Sequence, residues 1–398
     1  MFEPGDENFR LMIVAGEASG DAHAASLVRT LRASAPAVRF EFFGGTQGRM
    51  RAEGVESVVR TDELSITGLF EIARALPRFR RAYRELKRAA LERHPDAVVL
   101  VDWPDFNLRL ARALRRRGIK VIYHVSPQLW AWRGYRVRAI RRDVDLLLAL
   151  LPFEPAWYAA RGFAKVEFIG HPLASEVRRL DNRAAFCLKH KLDPARPVVA
   201  LLPGSRRKEL ARILPLMLAA ARLVVAERAG AQFVVALAPS RDRKEAEGVI
   251  SALGNSSDFD FGTNVRVASG ETREALSAAD AAAVASGTAT LEAALTETPL
   301  VVVYRESAIN WHVLGSLITV EHYGLVNLVA GRRLATELMQ YDFTPARLAR
   351  ELLRLLDPAE NDRVRAALRE ATAPLRAGDA SRRAADAVLR ALCEWKTG

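Results

Sequence analysis

The chain has 398 residues, of which 50% are hydrophobic and 27% charged, so it is long enough for two globular domains and too apolar to be disordered. Its 59 Lys and Arg residues against 47 Asp and Glu residues give a net charge of +12, which fits either an anionic partner or simply a soluble surface. The acidic N-terminus does not fit an export signal, no apolar run reaches the roughly 20 residues of a spanning helix, and two distant cysteines match no metal spacing.

Strand-like and helix-like segments alternate twice along the chain. In each series, short β-branched runs are followed by amphipathic helical patterns, which predicts a parallel sheet covered by helices on both faces. The first series of predicted strands is Leu11–Ala15, Val38–Phe43, Ala97–Val101, Lys120–His124, Leu146–Leu150 and Val166–Ile169. The second series is Val198–Leu202, Gln232–Leu237, Val265–Ala268, Ala281–Ala285 and Leu300–Tyr304. The predicted fold class is α/β, with two doubly wound, Rossmann-like domains that face each other across a cleft.

A polar segment with Gly170-His171-Pro172 separates the two series, and we place the domain boundary near residue 178. After Tyr304 the apolar spacing is helical to the end, over Ala346–Leu356, Arg363–Leu375 and Ser381–Trp395. These helices either cap the second domain or return to the first. The predicted division is therefore 1–178, 179–357 and a set of C-terminal helices over 358–398.

A glycine turn, Gly16-Glu17-Ala18-Ser19-Gly20-Asp21, joins the first predicted strand to its helix. Glycine allows close backbone approach, and free N–H groups at a helix start attract oxygen-rich ligands. Gly16, Glu17, Ser19 and Gly20 are therefore candidate ligand contacts. The spacing matches neither the dinucleotide fingerprint nor the P-loop, and a turn shaped only for packing is the alternative.

Two more candidate segments follow strands of the first domain, at the sheet edge where active sites gather. Asp102-Trp103-Pro104-Asp105-Phe106-Asn107 offers Asp102 as the chemical group and Asp105 as a cap for the helix that follows. The segment Val125–Trp132 carries an amide, Gln128, and the indoles Trp130 and Trp132 on a loop. Aromatic rings in such a loop serve either a sugar or acyl chain, or a domain contact, and the sequence leaves both open.

The second domain offers two turns that suit phosphate. Leu202-Pro203-Gly204-Ser205-Arg206-Arg207-Lys208 gives a compact turn with a forked cation, Arg206, that matches a diphosphate. Ser286-Gly287-Thr288-Ala289-Thr290-Leu291-Glu292 opens a helix with hydroxyl and N–H groups, and Glu292 is placed to accept the two hydroxyls of a ribose. The alternatives are a solvated charge run at Arg206 and a favourable helix-dipole contact at Glu292.

Taken together, these segments resemble the lipid-A-disaccharide synthase family of glycosyltransferases, which have two Rossmann-like domains of the GT-B type. The resemblance spans nearly the whole chain in order. It rests on Val14–Asp21, Asp102–Asn107, Val125–Trp132, Leu151–Glu154, Phe168–Pro172, Leu202–Arg206, Ser286–Glu292 and Asn327–Gly331. The chain departs from the family pattern at Thr67-Gly68, Val326 and Gly45–Gly48, which leaves the acyl-chain preference open.

The resemblance implies an inverting, metal-independent transfer of 2,3-diacylglucosamine from its UDP conjugate to 2,3-diacylglucosamine 1-phosphate, without a cofactor. It makes Asp102 the catalytic base or a residue that orients the acceptor hydroxyl. The implied substrate and UDP contacts are Gly16, Glu17, Ser19, Gly20, Asn107, Gln128, Trp132, Gly204, Ser205, Arg206, Ser286, Gly287, Thr288, Thr290, Glu292 and Asn327. The second domain would hold UDP and the first the acceptor, and a homodimer is left open.

Lipid substrates also imply a cytoplasmic protein that meets the inner face of the inner membrane without spanning it. The stretch 69–81 pairs apolar residues such as Phe70 and Phe79 with a basic cluster, which is typical of an interfacial helix or of a core-facing one. Two alternatives to the synthase remain: another UDP-sugar enzyme, such as an acetylglucosaminyltransferase or epimerase, and a basic nucleic-acid-binding module. The scattered basic residues and the lack of a recognition motif disfavour nucleic acid.

Overall fold

The computed structural model describes residues 8–64, 69–254, 260–307, 321–376 and 378–397, and of residues 69–75 it describes the backbone alone. The chain divides into two compact units. Unit 1 is Met1–Pro172 with Leu375–Gly398, and unit 2 is Leu173–Pro374. The chain therefore leaves unit 1 at residue 172 and re-enters it at residue 375, where the sequence-based division placed its boundaries near 178 and 357.

Unit 1 is built on a seven-stranded parallel sheet with the order β3-β2-β1-β4-β5-β6-β7. Its strands are β1 Asn8–Ala15, β2 Arg39–Thr46, β3 Glu56–Arg60, β4 Ala97–Val101, β5 Lys120–His124, β6 Leu146–Ala149 and β7 Val166–Phe168. Its helices are α1 Ala18–Ser34, α2 Gly48–Ala52, α3 Leu69–Arg93, α4 Pro104–Arg115, α5 Val137–Asp143 and α6 Glu154–Ala159. The helix Ala380–Thr397 also belongs to this unit.

The two faces of the unit 1 sheet are covered by different helices. On one face, Leu27 and Leu31 of α1 pack with Val388 and Leu392 of the helix Ala380–Thr397. On the other face, α3, α4 and α5 bury a second apolar cluster. Because both faces are covered, β4 is buried along its whole length and its sequence is continuously apolar.

Unit 2 has a six-stranded parallel sheet with the order β10-β9-β8-β11-β12-β13. Its strands are β8 Val198–Leu202, β9 Gln232–Leu237, β10 Val265–Ser269, β11 Ala281–Ala285, β12 Leu300–Tyr304 and β13 Thr336–Met339. Its helices are α7 Leu173–Glu176, α8 Arg183–Lys189, α9 Arg207–Glu227, α10 Arg243–Leu253, α11 Phe261–Asn264, α12 Thr272–Ala278, α13 Thr288–Leu295, α14 Leu325–Ala330, α15 Pro345–Leu355 and α16 Pro358–Thr372. The helix Ala380–Thr397 of unit 1 is α17.

All eleven predicted strands are present, and the prediction of two parallel sheets is confirmed. Two strands, β3 and β13, were missed, and the expectation of a purely helical segment after Tyr304 was wrong at β13. Both missed strands form outer edges of their sheets and are short and partly polar, so they lack the apolar run of a central strand.

Residues 67 and 68, where the chain departs from the family pattern, lie outside the described residues. Within the described ranges, no helix combines the length and apolarity needed to span a membrane.

Candidate active site

The register of the unit 1 sheet aligns the ends of its central strands. Ala15 of β1 lies opposite Val101 of β4, and Val101 lies opposite His124 of β5. The residues that follow these strands, Gly16, Asp102 and Val125, therefore start three neighbouring loops at one edge. This is the carboxyl edge, where open α/β sheets bind ligands.

Gly16 is needed because an aromatic ring lies directly against it. A Cβ atom at this position would come within 2.1 Å of the Trp103 indole. Asp21, at the other end of the turn, is buried, and its carboxylate accepts hydrogen bonds from the backbone N–H groups of Gln47 and Arg49, both at 2.8 Å. The turn is thus packed against Trp103 and pinned to the start of α2. Glu17 and Ser19 are exposed on it.

Asp102 and Trp103 both have a left-handed backbone, with φ of +48° and +50°. A non-glycine residue in this region costs roughly 1–3 kcal/mol, and such residues cluster at functional sites. The carbonyl oxygen of Asp102 accepts hydrogen bonds from the Tyr123 hydroxyl at 2.6 Å and from Asn107 Nδ2 at 2.8 Å. Its backbone N–H donates to the carbonyl of His124 at 3.1 Å. The strained position is therefore held from three sides.

The environment of the Asp102 carboxyl favours its protonated form. Burial is the main cause, the negative charge of Glu17 adds to it, and a hydrogen bond from the Trp103 backbone works against both. Together they raise the pKa of Asp102 above its ordinary value. A carboxylate with a raised pKa is a stronger proton acceptor when ionised, which suits a general base.

Two predicted roles at this edge need correction. Asn107 was predicted to contact substrate, but it is fully buried and its Nδ2 donates to the carbonyls of Val101 and Asp102. Asp105 was predicted to cap α4, but the N-cap position is Trp103, and none of the side chains that the structure describes caps that helix. Instead Asp105 pairs with Arg133 at 3.2 Å and with Arg136, which ties the loop after β4 to the loop after β5.

The loop after β5 separates its two indoles. Trp130 is buried, and its Nε1 donates to Glu154 at 3.2 Å, whereas Trp132 is 41% exposed with the Arg133 guanidinium over its ring. Gln128 is exposed as well. Of the two readings that the sequence left open, Trp130 serves the interior of unit 1, and Trp132 is available to a ligand.

Glu154 holds this loop through its hydrogen bond from Trp130 and is itself a buried acid. Its Oε2 accepts the backbone N–H groups of Leu150 and Leu151, at 3.1 and 2.9 Å. Burial raises the pKa of Glu154 to about 7, against the opposing effect of its hydrogen bonds. The carboxyl therefore titrates near neutral pH.

The imidazoles of His124 and His171, near the same edge, are held neutral by burial. The rings of His124 and His23 meet edge to face, with centroids 6.1 Å apart. Burial lowers the pKa of His124 to about 3 and that of His171 to about 4, and the charge of His23 contributes in both cases. Neither ring therefore places a cation beside Asp102 at neutral pH.

In unit 2, the loops at the carboxyl edge of the sheet surround a pocket of about 940 Å³. Seven of the predicted contacts line it: Gly204, Ser205, Arg206, Ser286, Gly287, Thr288 and Glu292. They follow β8 and β11, which pair in the sheet, so the pocket lies across the loops of adjacent strands. The turns that suit phosphate are thus brought together, as the sequence predicts, in one concave site of unit 2.

Arg206 and its turn are already partly engaged by the chain itself. The Arg206 side chain is 80% exposed and forms an ion pair with Glu209 at 3.4 Å. Glu209 Oε2 also accepts the backbone N–H groups of Ser205 and Arg206, both at 3.1 Å. The start of α9 therefore offers its guanidinium to an anion more readily than its backbone, because Glu209 occupies the N–H groups.

The start of α13 differs from that of α9. In the part of the chain that the structure describes, its first turn has no acidic residue and no side chain caps it, and Gly287 and Thr288 are exposed. Ser286 donates its hydroxyl to the carbonyl of Tyr323 at 2.9 Å. Thr290 was predicted as a contact, but it is fully buried and donates to the carbonyl of Gly287 at 2.8 Å. Thr290 therefore shapes this helix start. Gly287, Thr288 and Ala289 at the start of α13 line the pocket, and a helix N-terminus attracts anions.

Arg273 is a cation of this pocket that was not predicted from the sequence. Arg273, in the first turn of α12, lines the pocket and pairs with Glu292 at 3.2 Å and with Glu176 at 3.4 Å. The available signal was its position, since Gly270-Glu271-Thr272-Arg273 directly follows β10 at the same carboxyl edge. Tyr304, Tyr323 and Met339 also line the pocket and were not predicted.

Asn327 was predicted to line the sugar side, but it does not reach the pocket. It is fully buried, its Nδ2 donates to the Ala335 carbonyl and to Glu337, and its Oδ1 accepts the N–H groups of Leu334 and Ala335. All four hydrogen-bonding positions of the amide are thus used. Glu337 in turn accepts the backbone N–H of Tyr323 at 3.1 Å, so Asn327 supports a pocket wall from behind.

Relatives of known sequence cover both units. A family model described as lipid-A-disaccharide synthetase matches residues 11–390. The chain is 44% identical to a lipid-A-disaccharide synthase of Myxococcus xanthus over 96% of this chain and 97% of that protein. It is 40% identical to a lipid-A-disaccharide synthase of Geobacter metallireducens over 97% of this chain and 98% of that protein.

Solved structures with a similar fold are more distant in sequence. A putative UDP-N-acetylglucosamine 2-epimerase from Listeria monocytogenes has a TM-score of 0.62 at 15% identity and covers 98% of each chain. The calicheamicin glycosyltransferase CalG4 has a TM-score of 0.56 at 17% identity, over 98% of this chain and 99% of that chain. These similarities confirm the predicted GT-B class, a two-domain α/β protein with parallel sheets.

Proposed function

Because the chain belongs to the lipid-A-disaccharide synthetase family, and so forms the disaccharide of lipid A by hexosyl transfer, we propose its substrates and mechanism. The donor is UDP-2,3-diacylglucosamine and the acceptor is 2,3-diacylglucosamine 1-phosphate. The products are the β-1,6-linked disaccharide 1-phosphate and UDP. The observation that carries this proposal is Asp102, a partly buried acid with a raised pKa on a strained loop.

The proposed step is a single displacement at the anomeric carbon of the donor. The ionised Asp102 takes the proton of the acceptor 6-hydroxyl as the oxygen of that hydroxyl attacks the anomeric carbon. The new carbon–oxygen bond forms as the bond to UDP breaks, and the electron pair leaves with the diphosphate. Attack from the side opposite the leaving group inverts the anomeric configuration. The raised pKa of Asp102 supports its role as the base.

Unit 2 holds the UDP in this proposal, and its own groups stabilise the departing diphosphate without a metal ion. Arg206 supplies an exposed guanidinium, and the start of α13 supplies N–H groups and the positive end of a helix dipole. Glu292 holds the ribose hydroxyls, and its ion pair with Arg273 at 3.2 Å orients its carboxylate. We expect turnover to survive EDTA, and its loss with recovery on adding Mg²⁺ would contradict this part of the proposal.

The lipid substrates require contact with the inner face of the inner membrane, and α3 is the proposed contact. Leu76 is 44% exposed on this helix, beside the exposed Arg78, Arg80 and Arg81. Phe79 was predicted to take part, but its ring packs on Trp103 with centroids 5.9 Å apart. The side chain of Phe70 lies outside the described ones.

Liposome flotation tests this contact. We expect Leu76→Ser to weaken binding to anionic vesicles severalfold, because an exposed leucine contributes up to about 1.5–3 kcal/mol when a lipid phase buries it. The matched control is Leu188→Ser, which removes an 81% exposed leucine from unit 2. Equal binding by Leu76→Ser and wild type would remove α3 from the proposal.

The reaction itself is tested by turnover with defined substrates. The purified protein is mixed with donor and acceptor, UDP release is followed, and the linkage is read by mass spectrometry and NMR. A β-1,6-linked disaccharide 1-phosphate supports the proposal. UDP release from UDP-N-acetylglucosamine but not from the diacylated donor would overturn it in favour of another UDP-sugar enzyme.

A further inference from the structure

The carbonyl group of Asp102 receives two hydrogen bonds from side chains that no ligand can reach. Tyr123 and Asn107 are both fully buried, and they donate to this one oxygen at 2.6 and 2.8 Å. Asn107 also donates to the carbonyl of Val101 at 3.2 Å, so it spans the end of β4 and the first residue of the loop. These contacts fix the orientation of the peptide group between Asp102 and Trp103.

Asn107 is used only as a donor. Its Oδ1 is buried and accepts no hydrogen bond in the part of the chain that the structure describes. Leaving a buried acceptor unpaired is unfavourable, so this amide is not an arrangement that optimises stability alone. The arrangement does place both of its N–H bonds on the backbone around Asp102.

The orientation of this peptide group matters because of where Asp102 lies. With φ of +48° and +50°, Asp102 and Trp103 occupy a conformation that an unrestrained loop would leave. Rotation of the backbone at Asp102 would carry its carboxyl group away from its present place beside Glu17. It would also move the Trp103 indole, which packs on Gly16.

We propose that Tyr123 and Asn107 are positioning residues, which hold the Asp102 carboxylate where it can take the acceptor proton by fixing the left-handed backbone beneath it. The proposal rests on the proposed function of Asp102. Neither side chain contacts substrate in this proposal. Both act through the Asp102 carbonyl.

Kinetics of Tyr123→Phe, which removes one hydroxyl and keeps the buried ring, provide the test. We expect kcat to fall by about tenfold or more, with the KM of donor and acceptor each within about twofold of wild type. In the Asp102→Asn background, adding Tyr123→Phe should leave the residual rate unchanged, because there is no longer a base to position. Tyr83→Phe is the control, since Tyr83 packs on Phe106 through its ring and its hydroxyl makes no hydrogen bond within the described ranges.

Several results would overturn the proposal. Unchanged kcat in Tyr123→Phe would do so, as would an equal fold-loss in wild-type and Asp102→Asn backgrounds, which would mean a general structural defect. A crystal structure of Tyr123→Phe gives a readout that needs no activity, and an unaltered φ at Asp102 would also count against it. If wild type makes no disaccharide, the proposed function fails, and this crystallographic readout then decides whether Tyr123 fixes the backbone. Asn107→Asp, which removes the donors and keeps the shape, serves as the second variant in both measurements.

Discussion

The carboxyl edges of the two sheets build their loops from different residues. In the unit 1 loops that follow β4 and β5, the residues with left-handed φ are not glycines: they are Asp102, Trp103, Val125 and Arg133. Around the unit 2 pocket, the corresponding positions are glycines, namely Gly204, Gly270 and Gly287. Both edges make sharp turns after parallel strands. Of the loops compared, only those after β4 and β5 accept the steric cost of a side chain at the turn.

The difference indicates what each edge must present. A glycine turn brings the backbone close to a ligand at little conformational cost, which suits N–H groups aimed at a diphosphate. A strained turn with a side chain is retained where that side chain is itself the required group. At the unit 1 edge, Tyr123 and Asn107 supply the hydrogen bonds that hold such a strained turn. The glycines of the unit 2 pocket adopt their turns without strain and need no such support.

Among the variants that test this contrast between the two edges, Asp102→Asn should have the largest effect. We expect kcat to fall by about 10²–10⁴-fold, because a general base contributes on that order. UDP affinity should stay near that of wild type, since the proposed UDP contacts belong to unit 2. Steady-state kinetics and calorimetric UDP titration check both expectations. Asp96→Asn, at the amino end of the same strand, is the control, and full turnover by Asp102→Asn would show that unit 1 strain does not serve catalysis.

The next largest effect concerns Glu154, a second buried acid at the unit 1 edge. Its pKa is about 7 in the native state against 4.5 ordinarily, so the native protein binds this proton more tightly than the unfolded chain does. The resulting stabilisation is complete below about pH 4.5 and is lost as the pH rises through 7. The contributions of His124 and His171 run the other way, because their lowered pKa values make stability fall as the pH drops below 6.5.

The variant Glu154→Gln separates the pH-dependent contribution of Glu154 to stability from that of the two histidines. The difference in unfolding free energy between wild type and Glu154→Gln should shrink by on the order of 3 kcal/mol from pH 4.5 to pH 8. Urea unfolding can be followed by tryptophan fluorescence, because five of the six tryptophans belong to unit 1. Glu167→Gln, which removes an exposed partner of Arg390, should show no such trend. A difference that does not change with pH would mean that Glu154 is not a buried neutral acid.

On the unit 2 side, Arg206→Ala should weaken UDP binding by roughly 10- to 100-fold, the range for losing a charge-assisted hydrogen bond. Turnover should fall as well, since the same guanidinium stabilises the leaving diphosphate. Calorimetric titration with UDP measures the first effect. Arg207→Ala removes the neighbouring cation, which does not line the pocket, and should bind UDP normally. Equal weakening by both variants would point to overall charge as the cause.

The smallest expected effects come from glycine substitutions, and they compare the two edges directly. Gly16→Ala meets the Trp103 ring and should cost about 1–3 kcal/mol of stability and lower kcat. Gly287→Ala meets open space, so only its φ of +152° opposes it, at about 1 kcal/mol, and it should affect UDP binding instead. Thermal unfolding with kinetics separates the two. A kcat loss confined to Gly287→Ala would reverse the assignment of roles.

The two sheets and the pairing of loops at their edges could be predicted from sequence, because buried parallel strands have a continuous apolar signal. The sequence could not show which residues of each motif are open to a ligand and which are buried and hold the backbone. Asn107, Thr290 and Asn327 have the residue types of ligand contacts, yet all three are buried and hold backbone. Residue type shows what a side chain can bond to, whereas its direction depends on packing that the motif does not encode. Arg273 was missed although its turn carries Gly270 and Thr272 directly after β10, because that position at the carboxyl edge was not used as a signal.

The return of α17 to unit 1 has a consequence for how the protein is made. The 202 residues of unit 2, Leu173–Pro374, are synthesised between the body of unit 1 and α17. Until α17 emerges from the ribosome, Leu27 and Leu31 of α1 lack the partners Val388 and Leu392. Unit 2 is therefore able to finish folding first, although unit 1 begins synthesis earlier, and in the interval unit 1 exposes an apolar face to chaperones and proteases.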